Sequence, residues 1–366
     1  MVELGGIETA YLAVYAIGQF VSGSLGDRYG PRRVLGLGMI GSALAAVALG
    51  MSSLLWPMGV AFALNAAFQS TGWSNNVKAM TPWFSLKRRG LVMAFWSTNF
   101  QVGGLVATAL AGYLLVNYGW RTAFHVPATW VATVGALVLL FLVERPQDAG
   151  HEPVLESEGE DVGRDREAFW RMLRVPAVWA LGSSYFCLKF IRYSLLFWLP
   201  YYLHTELGYA EDTSAYLSTA FEAGGIAGTI GVGWMSDRLA SDNRPRLLAP
   251  VLLVLAVLLG CYETVGAMGL WPNAVAMGLI GFTLFGPDAL LAGAVAQDLG
   301  GERAAASTSG IINGMGSVGA ILTGLIVPFV GTHYGWDALF FFFVALAILS
   351  AVALLPLALR KRPAVG

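Results

Sequence analysis

Gly23-Ser24-Leu25-Gly26-Asp27-Arg28 returns 210 residues later as Gly233-Trp234-Met235-Ser236-Asp237-Arg238. Each copy closes a long apolar run and leads into further arginines. Downstream, Val102-Gly103-Gly104 and Tyr118-Gly119-Trp120 match Val318-Gly319-Ala320 and Tyr334-Gly335-Trp336, both pairs 216 residues apart. Two distant matches at one spacing mean that the chain contains one architecture twice. A parallel repeat of six-helix halves about a midplane site is a design of secondary transporters.

The runs around these echoes define the solvent. Of 366 residues, 56% are hydrophobic and 12% charged, about half the charged share of a soluble domain. A membrane-crossing helix needs about 20 mostly apolar residues. Such runs cover 5–26, 34–53, 55–80, 90–116, 121–144, 177–205, 214–236, 246–268, 271–297, 304–332 and 336–359. None alternates with period two, so a β-barrel is excluded. The expected fold is all-α and embedded in the lipid bilayer: an N-terminal half, 1–144, of five helices; a linker, 145–176; and a C-terminal half, 177–366, of six. The first run is too long for a signal-peptide core and lacks a basic flank, so it reads as mature structure.

Charge is sorted by side. Of 22 Lys and Arg, 18 fall in the segments after alternate runs, starting with the first, and one, Arg121, falls on the opposite side. The positive-inside rule makes the richer side cytoplasmic, with the C-terminus and the 145–176 linker, and a plasma (inner) membrane is expected. The linker is acidic, with Glu152, Glu156, Glu158, Glu160, Asp161 and Asp165. Its end, Phe169-Trp170-Arg171-Met172-Leu173-Arg174, reads either as a short amphipathic helix or as loop. The net charge of −1 hides this segregation, and no nucleic-acid patch is visible. A monomer is expected.

Eleven crossings leave the N-terminus outside, whereas two equal halves with a cytoplasmic linker require twelve and an N-terminus inside. The repeat agrees, because the helix at 177–205 has no counterpart in the first half. One helix ahead of the first run is therefore expected to be missing.

Several motifs read as packing. Gly314-Met315-Gly316-Ser317-Val318-Gly319 spells the dinucleotide fingerprint, but it lacks the preceding strand that fingerprint needs. Together with Gly224-Gly225-Ile226-Ala227-Gly228 it is expected to let helices approach closely. His125, His151, His204 and His333 have no ligand spacing, and Cys187 and Cys261 fall inside helices. No metal, cofactor or catalytic constellation is assigned.

Three cations remain inside apolar runs: Lys78, Lys189 and Arg192. Lys189 and Arg192 are three apart, so they share a helix face. A central Lys or Arg costs roughly 2.5 to 3.5 kcal/mol to insert, so the pair should face water or an anion. A substrate cavity is one reading; an ion pair with Glu222 or Asp288 is the other. Lys78 near its helix end either joins the cavity or snorkels. A guanidinium fork matches phosphate or carboxylate oxygens, so the expected partner is a small anion. Tyr15, Gln19, Asn99, Gln101, Tyr185, Tyr193 and Asn313 add neutral polar groups suited to a polyol.

The Asp27-Arg28 and Asp237-Arg238 loops, the first followed by Gly30-Pro31-Arg32-Arg33, resemble the signature of the major facilitator superfamily. Gly72-Trp73, Trp83-Phe84, Lys87-Arg88-Arg89-Gly90, Lys189-Phe190-Ile191-Arg192-Tyr193, Trp198-Leu199-Pro200-Tyr201-Tyr202, Phe221-Glu222-Ala223-Gly224 and Phe285-Gly286-Pro287 resemble its organophosphate:phosphate antiporters. The resemblance implies exchange of a phosphate ester for inorganic phosphate by alternating access, with no chemistry performed. It also implies that Arg192 is the substrate-phosphate cation, that Lys78 matches a basic position and that Tyr15 matches a cavity tyrosine. The missing helix would supply a second cation. Gln19 stands where several relatives carry lysine, and Phe100 where the glycerol-3-phosphate type has histidine. Structural or coupling roles fall to Glu222, Asp288, Asp27, Arg28, Asp237 and Arg238. The rivals are a proton-coupled organic-anion symporter and a membrane sensor of sugar phosphate.

Overall fold

The computed structural model describes residues 2–154, 165 and 167–359. Glu156, Glu158, Glu160 and Asp161 of the linker lie outside the described residues. Among the described residues every regular element is helical: α1 (Val2–Tyr29), α2 (Pro31–Met51), α3 (Leu55–Gln69), α4 (Gly72–Met80), α5 (Leu86–Ser97), α6 (Asn99–Tyr118), α7 (Thr122–Phe141), α8 (Ala168–Leu173), α9 (Pro176–Thr205), α10 (Glu211–Leu239), α11 (Pro245–Gly266), α12 (Leu270–Leu290) and α13 (Ala296–Ala358). The 18-residue apolar windows of α2, α7 and α11 have mean hydropathies of 2.0, 1.8 and 2.1, enough to cross a bilayer.

Local chemistry sets the breaks. Gly30, at φ 88°, stops α1, and Pro31 opens α2, the usual order of a left-handed glycine and then a proline that needs no N–H. Gly119 and Gly335, which are repeat equivalents, both lie in the left-handed region at φ 86° and 82°. The turn between α6 and α7 and the matching position within α13 thus share one backbone conformation. Two runs expected to be single helices are broken. Between α3 and α4 the Ser70 and Thr71 hydroxyls donate to the Ala67 and Phe68 carbonyls; between α5 and α6 Thr98 sends both its N–H and its hydroxyl to the Phe95 carbonyl. Such back-bonding competes with the helix ladder. The linker end forms α8, with Ala168 and Met172 buried and Trp170 exposed.

Packing groups the chain into two units: Met1–Ser85, Asn99–Val175 and Ala296–Gly314; and Leu86–Thr98, Pro176–Val295 and Met315–Gly366. Each unit includes a stretch drawn from the other repeat half. In the first unit α2 lies along α7, where a Cβ on Gly36 would sit 2.3 Å from Leu139. In the second, α10 crosses α12 so closely that a Cβ on Gly224 would lie 2.0 Å from the Gly278 carbonyl oxygen, and one on Gly228 2.1 Å from that of Phe282. Small residues let helix backbones meet where lipid supplies no hydrophobic drive.

The repeat also has an asymmetry. A Cβ on Gly319 would meet the Phe186 carbonyl oxygen of α9 at 2.5 Å, whereas among the described residues one on its equivalent Gly103 in α6 would meet nothing within 4 Å, nor would one on Gly104 or Gly112. Leu114 is the one residue of α6 that is buried.

Gly224→Val is expected to force α10 off α12 and lower the thermal midpoint in detergent, with overpacking costing about 1–3 kcal/mol. Gly324→Val, at a position with open space around it, leaves the midpoint unchanged.

Candidate functional site

The face predicted from the spacing of Lys189 and Arg192 exists, and it meets α12. Arg192 donates through one terminal guanidinium nitrogen to Asp288 Oδ2. Lys189 Nζ lies 3.2 Å from Oδ1 and 3.4 Å from Oδ2 of the same carboxylate. The side chains of Lys189 and Arg192 keep 13% and 15% of their surface, against 6% for Asp288, so the cations are the reachable members. Arg192 also rests 4.1 Å from the Phe285 ring centre, and Lys189 lies 5.1 Å and 5.6 Å from the rings of Tyr185 and Tyr193. These aromatic faces stabilise both charges where water is scarce.

Two glycines make room. A Cβ on Gly225 would stand 2.8 Å from the Phe285 ring, and one on Gly316 would stand 2.3 Å from the Tyr185 ring and 2.9 Å from Lys189 Cγ. Gly316 comes from the motif that spelled a dinucleotide fingerprint, so its glycines serve close packing here. Just beyond Asp288, α12 passes into a π-helical turn, Leu291–Val295, with Pro287 before it. Irregular turns of this kind recur at functional sites.

The cluster leaves donors over. Arg192 carries five N–H groups, and Asp288 engages one of its terminal nitrogens. Glu222 acts on it at longer range, without an ion pair among the described residues. Of the two carboxylate partners considered from sequence, Asp288 is thus the direct one.

Lys78 Nζ lies 2.6 Å from Asp27 Oδ1 with both side chains buried, and Asp27 Oδ2 accepts the Ser307 N–H at 2.7 Å. Asp237 repeats the arrangement. Its two oxygens accept the Gly90 and Leu91 N–H groups at 2.8 and 2.7 Å, and Arg244 pairs with it at 2.9 Å. Each aspartate therefore accepts backbone N–H groups of a helical stretch from the other repeat half. Gly23 and Gly233 allow the approach: a Cβ on either would lie 2.5 Å from the Ala306 carbonyl oxygen or 2.3 Å from Ala94 Cβ. Arg28 and Arg238 stack over Tyr29 and Trp234 at 5.1 and 4.6 Å. Arg244 was not singled out from sequence, where it reads as a loop cation, yet its side chain is fully buried. Gln19 is fully buried, and among the described residues neither its amide nitrogen nor its oxygen has a hydrogen-bond partner. Tyr15 and Gln101 are half-buried and Asn99 is exposed. Outside the helices that cross the membrane, burial tends to raise the Asp165 pKa. Hydrogen bonds from the Glu167 N–H and Arg171 outweigh it and hold the group below the ordinary carboxylate value.

The model of the Major Facilitator Superfamily matches residues 2–324. The chain belongs to that superfamily. It is 34% identical to the candidate glycerol-3-phosphate transporter 2 of Arabidopsis thaliana, over 98% of this chain and 77% of that protein. It is 31% identical to sugar phosphate exchanger 3 of Homo sapiens, over 98% of this chain and 80% of that one. Among solved structures, the E. coli fucose:proton symporter superposes with a TM-score of 0.70 at 15% identity, covering 98% of this chain and 90% of that chain. This likeness shows the fold, and the major facilitator fold makes the chain an integral membrane protein.

In this major facilitator chain, Asp27→Ala is expected to leave the Lys78 ammonium buried without a counter-charge, costing about 3–5 kcal/mol. The thermal midpoint in detergent should fall sharply for Asp27→Ala and recover in part for Asp27→Ala/Lys78→Met. Equal midpoints for the two variants would contradict the pairing.

Proposed function

We propose that this chain exchanges a small phosphorylated metabolite, such as a sugar phosphate or a glycerol phosphate, for inorganic phosphate by alternating access. The observation that carries the reading is Arg192, a shielded guanidinium with unspent donors and a second cation, Lys189, beside it. A planar fork of N–H groups suits phosphate oxygens, and the neighbouring ammonium adds charge without directional demand. The relatives' names, for glycerol-3-phosphate and sugar phosphate, support the same anion class.

Within this proposal Tyr193, Tyr15, Gln19, Asn99 and Gln101 are further substrate contacts, whereas Lys78, which from sequence could also join the cavity, is held by Asp27 instead. The amide of Gln19, buried without a partner, fits an uncharged hydroxyl of the ester. The halves 1–144 and 177–366 act as the moving bodies and 145–176 as their tether. The Asp27–Ser307 and Asp237–Gly90 contacts then break and reform in each cycle. The protein works as a monomer in the plasma (inner) membrane with the linker and C-terminus in the cytoplasm.

In phosphate-loaded liposomes, external sugar phosphate or glycerol phosphate should drive counterflow of labelled phosphate. Absence of exchange with every phosphate ester would overturn the proposal. Arg192→Ala is expected to abolish exchange. Arg192→Lys keeps the charge but loses the fork, so most of the activity should go with it.

A further inference from the structure

A cavity that binds a phosphate dianion would be expected to hold its cations unpaired, yet both cations of this cluster already grip one carboxylate. Asp288 supplies what a phosphate would supply: two oxygens, a negative charge and a position that Arg192 and Lys189 reach together. Its grip is incomplete. Oδ1 accepts no well-aligned hydrogen bond, and Arg192 is bound through one terminal nitrogen. The carboxylate also sits between Pro287 and a π-helical turn, where the helix ladder is least regular and a small shift disturbs fewest backbone bonds.

Charge counting gives the consequence. Lys189, Arg192 and Asp288 sum to one positive charge, whereas a phosphate monoester carries about 1.5 to 2 negative charges near neutral pH. The ester can engage both cations fully only if Asp288 gives up its hold. We propose that Asp288 is an internal anion that holds Arg192 and Lys189 in the unloaded transporter and is displaced from Arg192 by the phosphate group of the substrate. The proposal rests on the reading of Arg192 as the phosphate site and adds a positioning residue to it.

Two effects follow. Asp288 weakens phosphate binding, because the anion must outcompete a tethered carboxylate. It also lowers the charge of the empty site from two positive to one, which eases reorientation of the unloaded transporter and so allows net efflux in addition to exchange. A carboxylate that served only to keep the two cations in place would have the opposite effect on binding, since its loss would disorder them.

Asp288→Asn and wild-type protein are compared by equilibrium binding of labelled inorganic phosphate and, in liposomes, by the ratio of net efflux into phosphate-free medium to exchange. Asp288→Asn should bind phosphate at least tenfold more tightly and show a sharply lower ratio. Because that variant leaves two cations uncompensated, Lys189→Gln and Lys189→Gln/Asp288→Asn are compared as well, and the double variant should bind more tightly than the single one. Wild-type binding accompanied by weaker or equal binding on loss of Asp288 in both backgrounds would overturn this proposal alone. Wild-type protein that neither binds nor exchanges phosphate would overturn the functional reading and this proposal with it.

Discussion

A charge inside a lipid-embedded helix is tolerated only if something nearby answers it, and three aspartates in this protein provide that answer. Asp27 holds Lys78, Asp237 holds Arg244 and Asp288 holds Lys189 and Arg192. The first two pairings are satisfied on every side by backbone N–H groups and by cations with almost no exposed surface. The third is not, since it has two cations for one carboxylate and retains exposure and spare donors.

The repeat determines where the structural pairs lie. Asp27 and Asp237 occupy equivalent positions, and each reaches backbone N–H groups in the opposite half, that of Ser307 in one case and those of Gly90 and Leu91 in the other. Gly23 and Gly233 then matter through what they lack, because any side chain there would hold the facing helix away from the carboxylate. The signature shared by the two loops thus encodes one mechanical contact made twice.

Much of this is legible in the sequence. The apolar runs, the equivalence of Gly119 and Gly335 and the shared face of Lys189 and Arg192 all follow from local spacing. The breaks at Ser70–Thr71 and at Thr98 do not, because a hydroxyl that turns back on its own helix leaves hydropathy unchanged. Arg244 was hidden for a related reason: a buried arginine seven residues from its aspartate looks like any loop cation until Leu86 is seen accepting its second nitrogen. Asp288 was legible as one of two candidate partners. Choosing it over Glu222 required knowing that α12 meets the cation face of α9, a contact between residues 96 apart in the chain.

The account stands on one claim above the others, that a phosphate group lies against the guanidinium of Arg192. Solid-state NMR dephasing between the phosphorus of bound phosphate and the guanidinium nitrogens of isotope-labelled arginine measures that distance in the reconstituted protein. The account predicts direct-contact dephasing at a single arginine, removed by Arg192→Lys. Dephasing that survives Arg192→Lys, or its absence from protein with phosphate bound, would contradict it.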